Sequence, residues 1–161
     1  MVQWPIMSDT NAIKWLRAQG VEFEVLTYEF HEVGVDLAAE AVGRPLEAVC
    51  KTLIVKAGGR AYWVAIVPGD RRFDTRKMAA AIGVKEVDLA PHDEAEKVSG
   101  YLIGGISPFA MRRHLPVVIE ESLLALDRIV VSGGRRGVQI EIATGKLVEL
   151  LDARPADICS G

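Results

Sequence analysis

The chain has 161 residues, half of them hydrophobic and a quarter charged, with a formal net charge of −3. That length gives one domain whose core stands without disulfide or metal staples, and the balance is that of an ordinary globular protein. The slightly acidic sum argues against bulk, non-specific nucleic-acid binding, and no uninterrupted apolar run nears the roughly 20 residues that cross a bilayer.

The short start Met1 to Ile6 lacks the basic head and apolar stretch of a signal peptide. Two cysteines, Cys50 and Cys159, make at most one bridge and lack metal-site spacing. A reduced, cytosolic compartment is the expectation. Residues 1–7 read as an N-terminal tail ahead of a single domain over 8–161.

Ser8 or Asp9 is placed to cap a helix that begins near Thr10, carries Ala12, Ile13, Trp15 and Leu16 as an apolar stripe, and stops at Gly20. Val21 to Tyr28 alternates as a half-buried strand does. Asp36 suits the cap of a short helix through Val42, and Pro45 the first turn of another. Cys50 to Ala57 is apolar on both faces and joins Ala61 to Val67 through a Gly58-Gly59 hairpin. Asp74 or Thr75 caps a helix to Ile82, and Val84 to Leu89 is a short strand. Pro91 to Val98 is a helix with acidic residues early, where the helix dipole favours them.

A Gly/Ser/Pro loop follows Tyr101 to Ile103, then helix or turn to His114. Strands are expected over Pro116 to Glu120 and Arg128 to Val131, with Gly133 and Gly134 opening a turn. Val138, Ile140 and Ile142 form the dry face of a strand, with Gln139 and Glu141 opposite. Thr144 caps a last helix through Leu151. Six or seven short strands with four or five helices indicate a mixed α/β or α+β fold whose sheet is largely antiparallel.

Three segments stand out chemically. Lys51 opens a strand on the face shared by Leu53 and Val55, so its ammonium either snorkels, pairs with a carboxylate or meets a ligand. In Gly100-Tyr101-Leu102-Ile103-Gly104-Gly105-Ile106-Ser107-Pro108, adjacent glycines let backbone N–H groups approach a carbonyl or phosphate oxygen, although an ordinary turn has the same composition. Ser132-Gly133-Gly134-Arg135-Arg136-Gly137 is either a hairpin loop with a surface basic pair or a second small-residue wall beside cations.

Basic residues bunch at Arg71, Arg72, Arg76 and Lys77, at Arg112, Arg113 and His114, and at Arg135 and Arg136. Beside glycine-rich loops they suit a phosphate-bearing partner. His31, His92 and His114 lack zinc-ligand spacing. No phosphate-binding glycine fingerprint or nucleophile elbow occurs. Cys50, inside a strand, reads as a small buried hydrophobe.

These segments in this order resemble the YbaK family, which includes Cys-tRNA(Pro) deacylase and the editing domain inserted in bacterial prolyl-tRNA synthetases. Thr27-Tyr28-Glu29, Lys51-Thr52-Leu53-Ile54-Val55, Gly100 to Pro108, Val131 to Gly137, Leu151-Asp152-Ala153 and Ala156-Asp157-Ile158 carry the match. The resemblance implies a YbaK-like fold, a curved, barrel-like, mostly antiparallel sheet flanked by helices. It also implies action in trans on mischarged tRNA, with tRNA(Pro) foremost and prolyl-tRNA synthetase as a further partner, and with no metal or other cofactor.

Lys51 matches the family's essential lysine. Tyr28, Thr52, Gly104, Ser107 and Ser132 match pocket-lining positions, and Gly105 and Gly133 accompany them. Gln139 stands where the cysteine-specific deacylase has an aspartate. Arg112, Arg113, Arg135 and Arg136 are expected against the acceptor-stem backbone. Lys51 would hold the terminal phosphate or the ester carbonyl while the Gly104 and Gly105 N–H groups face the oxyanion. Water or a substrate thiol would attack.

Overall fold

The computed structural model describes residues 9–31 and 33–161. The expected tail and the Ser8 cap lie outside the described residues. Helix α1, Asn11–Gln19, is capped by Thr10 rather than Asp9. The Thr10 Oγ1 accepts from the Ile13 N–H at 3.1 Å and donates to the Gly133 carbonyl at 2.6 Å, so one hydroxyl ties the helix start to a distant strand. The stripe Ala12, Ile13 and Leu16 is fully buried.

Strand β1 is confined to Glu24–Thr27, and α2 runs over Val35–Val42. Asp36 lies in the first turn of α2, where the dipole favours it, and the cap position is Gly34. A 3-10 turn follows Pro45. The hairpin of β2, Cys50–Ala57, and β3, Ala61–Pro68, pairs from Cys50 opposite Pro68 to Ala57 opposite Ala61.

Next come β4 (Arg72–Phe73), α3 (Thr75–Ile82), β5 (Asp88–Leu89) and α4 (His92–Ser99). The Asp74 carboxylate caps α3 by accepting from the Arg76 and Lys77 N–H groups, each at 3.0 Å. The expected strand from Val84 shrinks to two residues because the Val84 N–H turns back to the Ala79 carbonyl at 3.0 Å, closing the end of α3. Between Gly100 and Pro116 there is no helix; the chain runs as loop and bends.

The remaining elements are β6 (Val117–Glu120), β7 (Arg128–Arg135), β8 (Val138–Ala143), α5 (Thr144–Leu151), β9 (Arg154–Ala156) and β10 (Cys159–Ser160). Thr144 is the first residue of α5 and not its cap, which is Ala143. The β7–β8 turn is Arg136-Gly137, not Gly133-Gly134. Ser132 pairs with Gln139 and Arg135 with Val138, so Gly133 and Gly134 are extra residues bulged out of the ladder.

The described strands form sheets in the orders β5-β2-β3-β6-β9, β1-β8-β7 and β10-β4. Pairing is antiparallel except for β3 with β6 and β6 with β9. A parallel bridge between Val49 and Val130 joins the larger sheets at the start of β2. Cys50 and Ile54 of β2 face the main core, with Ile13, Phe109, Ile140 and Leu147. Val55 and Ala57 face a second core with Val67, Met78, Val118 and Ile158. Both faces of the hairpin are thus covered, as its doubly apolar sequence requires. Among the described residues no helix is long and apolar enough to cross a membrane.

Candidate active site

Strand β5 pairs only with Val55 and Lys56, and Ala90 adds one hydrogen bond to the Ile54 carbonyl at 2.9 Å. Between that pairing and the Val49–Val130 bridge, the middle of this edge of β2 pairs with no strand among the described residues. It opens into a cleft of about 400 Å³. Phe30, Val33, Val35 and Ala38 from the β1–α2 stretch form one apolar wall. Ile103 and Ile106 form another, and Leu89, Ala90 and Ala95 a third. Tyr28, Lys51, Thr52, His92, Ser132 and Gln139 supply the polar groups.

Gln139 is 5% exposed, flanked across the sheet by Leu26 of β1 and Ser132 of β7. It lies on the polar side of its strand, as its alternation with Val138 and Ile140 requires, but that side faces the cleft rather than solvent. The Thr52 Oγ1 is buried with no hydrogen-bond partner among the described residues. A buried hydroxyl left in that state costs free energy that a ligand's hydrogen bond would recover. The Tyr28 N–H donates to the Gly137 carbonyl at 2.9 Å, which fixes the entry of the wall to the β7–β8 turn.

Lys51 sits on the opposite face from Thr52 and reaches around the open edge. Its Nζ donates to the Arg71 carbonyl at 2.8 Å. The residue borders both the cleft and a neighbouring hollow lined by Gly69 to Phe73 and Leu89. The Arg71 guanidinium in turn approaches the Glu120 carboxylate at 3.3 Å, and that carboxylate is 1% exposed. Burial alone would raise the Glu120 pKa; hydrogen bonds involving Ser122 and the Ile158 N–H, with the Arg71 charge, outweigh it and hold the carboxyl below the usual range. Cys50 borders the cleft too, but burial pushes its thiol far above neutrality, so it is no thiolate nucleophile.

The glycine loop divides its expected roles. Gly104 lines the cleft with φ at 92°, a conformation that strains any side chain, and a Cβ there would crowd the Arg136 Nε at 3.2 Å. Gly105 lies behind it against the Arg135 and Arg136 backbone. Its N–H donates to the Leu102 carbonyl at 2.8 Å, so it is already used within the turn and is not aimed at an oxyanion. Ser107 is fully buried outside the cleft lining, its Oγ accepting from the Phe109 N–H at 3.3 Å. Ile106 is the neighbour that reaches the cleft. Gly133 also lies outside the lining, and a Cβ there would strike the Val138 Cγ1 at 2.6 Å.

The arginines form two groups. The exposed Arg136 is at the cleft mouth, its Nε donating to the Ile103 carbonyl at 2.8 Å and its guanidinium 5.4 Å from the Phe30 ring centre. Arg135 ends β7 beside it. Arg112 and Arg113 close the end of α4 through N–H bonds to the Ser99 and Val98 carbonyls, leaving both side chains exposed. The Arg113 guanidinium lies 5.3 Å from the Tyr62 ring centre.

The sequence reading did not single out Phe30, Val33, Val35, Ala38 or His92 for the site. Phe30 and Val33 precede the short helix that carries Val35 and Ala38; apolar residues there signal burial and not which cavity they border, and in the sequence His92 draws notice only as a metal ligand. No three of His, Cys, Asp and Glu gather to hold a metal ion among the described residues.

Known proteins resemble this chain in sequence and in fold. The model of the aminoacyl-tRNA editing domain matches residues 32–150. The candidate Cys-tRNA(Pro)/Cys-tRNA(Cys) deacylase EbsC of Enterococcus faecalis is 30% identical over 151 residues, covering 92% of each chain. The multifunctional Ser/Thr-tRNA deacylase ProXp-y of Escherichia coli K12 is 27% identical over 143 residues, covering 86% of this chain and 84% of that one. A crystal structure of the hypothetical protein APE2540 superposes with a TM-score of 0.85 at 28% identity, over 92% of this chain and 98% of the other.

Proposed function

We propose, since this chain belongs to the aminoacyl-tRNA editing domain family, that it is a trans-acting deacylase removing a mischarged small amino acid from tRNA, with cysteine on tRNA(Pro) foremost. The observation that carries this reading is the cleft. Its volume of about 400 Å³ is small for a ligand site, its walls are apolar, and a lone lysine stands at its rim. Such a site has room for an aminoacyl group and apolar surface to hold it.

The bond to be cleaved is an activated ester, so positioning and carbonyl polarisation supply much of the rate. Lys51, anchored on the Arg71 carbonyl, holds the terminal phosphate or the ester carbonyl. It acts as a fixed cation and not as a base or nucleophile. With the Gly105 N–H engaged, the loop's contribution falls to Gly104, which borders the cleft. In the thiol route the substrate sulfur bonds to the carbonyl carbon, the ester C–O bond breaks, and the ribose oxygen takes the thiol proton. The product is a thiolactone, formally a lyase reaction. In the hydrolytic route water takes the place of the thiol.

A second reading, removal of serine or threonine, draws on Thr52 and Gln139. An unpartnered hydroxyl and a neutral carboxamide suit a hydroxyl-bearing side chain, and a site built to bond such a group discriminates strongly against its absence. A deacylation panel of Cys-, Ala-, Ser-, Thr- and Pro-tRNA with the purified protein separates the two. Cleavage of Cys-tRNA(Pro) foremost supports the first reading. Faster loss of Ser- or Thr-tRNA moves the assignment to the second, and inertness toward every member removes the deacylase reading.

A further inference from the structure

The far end of β2 holds a second concavity, of about 380 Å³, bordered by Lys56, Arg60, Tyr62, Glu94, Lys97 and Arg113. Four of these six are cations and one is an anion, in a chain whose formal charge is −3. The Glu94 carboxylate accepts from the Lys56 Nζ at 2.7 Å and from the Tyr62 hydroxyl, which fixes both donors. Lys56 and Arg113 then lie 6.0 Å and 5.3 Å from the centre of the same Tyr62 ring. Arg60 and Lys97 are exposed, and their side chains have no ion pair among the described residues. Gathering so many cations around one carboxylate leaves an excess of positive charge that an anion from outside would relieve.

The placement specifies which anion. Thr52, Ile54 and Lys56 alternate onto one face of β2, and the first two border the cleft. Helix α4 spans both places: His92 and Ala95 border the cleft, Glu94 and Lys97 the concavity. Thr52 to Lys56 spans roughly 14 Å at about 3.4 Å per residue. That is about four nucleotides stacked at about 3.4 Å each, the length of the unpaired 3′ end of a tRNA.

We infer that this concavity binds the RNA phosphate backbone where the acceptor stem begins while the aminoacylated 3′ end lies in the cleft. The inference rests on the editing reading above. It extends the expected RNA contacts of Arg113 to Lys56, Arg60 and Lys97, and it separates them from Arg136, whose side chain is committed to Ile103 and Phe30.

The test uses a labelled, uncharged RNA minihelix ending in CCA, titrated into wild type, Arg60→Glu/Lys97→Glu and a control, Lys14→Glu/Lys85→Glu, with the same charge change at exposed positions outside both clefts. All are checked for folding by circular dichroism. The first pair weakens minihelix binding at least tenfold and lowers the slope of log K against log salt by roughly 1.5, two phosphate contacts' worth. The control keeps the wild-type slope, and a stemless CCA trinucleotide binds wild type and variant alike.

Equal minihelix affinities in wild type and the first variant, or equal losses in variant and control, overturn the inference. Deacylation in the same preparations keeps the two readings apart. If wild type cleaves a charged tRNA and the first variant retains its KM, the surface falls and the editing reading stands. If wild type cleaves none yet binds the minihelix through these residues, the editing reading falls and the surface stands.

Discussion

The Glu120 carboxylate is almost completely buried, and Arg71 meets it at 3.3 Å while offering its own carbonyl to the Lys51 ammonium. Through this pair, a charge inside the fold holds the loop on which the rim lysine rests. Replacement by glutamine keeps the shape and removes the charge. Glu120→Gln is expected to cost about 2 kcal/mol near neutral pH, the usual worth of hydrogen bonds to a buried charge.

The pH dependence has a definite sign. The folded carboxyl of Glu120 sits below its ordinary value, so its contribution is complete above the ordinary carboxylate range and is lost as pH falls through the folded value. Urea unfolding of wild type and Glu120→Gln at pH 7 and pH 4 checks this. The stability gap should narrow in acid; a gap that stays constant would show that the charge of Glu120 is not what stabilises the loop.

Lys51→Ala should lower kcat/KM for the best charged tRNA by about 100-fold, the scale of one lost electrostatic contact to a transition state. It removes one hydrogen bond, to the Arg71 carbonyl, so unfolding free energy should fall by only about 1 kcal/mol. Lys51→Arg should not rescue, since a planar fork does not replace a compact ammonium. Wild-type rates in Lys51→Ala, measured by loss of labelled amino acid, would remove the lysine from the mechanism.

Thr52→Val separates binding from stability. The buried Oγ1 has no partner among the described residues and so adds no hydrogen bond to the fold; an isosteric methyl should leave Tm unchanged or raise it. If the hydroxyl instead meets the substrate, kcat/KM falls as Tm holds. A lower Tm would mean that Thr52 has a structural partner.

Gly134→Ala tests the bulge. At φ 98° a side chain is strained, and its Cβ would come within 2.8 Å of the Tyr101 Cε1 and 3.2 Å of the Thr10 Cβ. A loss of about 2 kcal/mol in chemical denaturation is expected. Gly145→Ala serves as the comparison, because nothing lies within 4 Å of its Cβ position.

The β2–β3 hairpin was legible because two apolar runs flank adjacent glycines, and α3 because Asp74 and Gly83 punctuate it at both ends. The bulge was not. Gly133-Gly134 carries the composition of a turn, yet Ser132 and Arg135 both remain paired with β8, and only the register reveals two surplus residues. Strands β9 and β10 escaped for another reason. They have three and two residues, too few to display alternation, and they form only because β6 and β4 already present edges.

Within the site, Lys51, Thr52, Gly104, Ser132 and Gln139 were expected together and do border one cleft. Ser107 and Gly105 belong to the same motif but serve its internal bonding. Adjacency in sequence could not distinguish a residue that faces the cleft from one that holds its neighbour in place.

The last strand supports the site from far along the chain. The Ile158 carbonyl accepts from the Asp74 N–H at 2.8 Å, the Cys159 carbonyl from Lys77 at 2.8 Å, and β10 pairs with β4, so both ends of the Arg71 to Asp74 segment are gripped by residues 158–160. Every residue that borders the cleft lies between positions 28 and 139, so the support beneath the Lys51 anchor comes from outside that stretch. The cleft walls and the footing of the rim lysine are thus separate pieces of the chain, joined only by the fold.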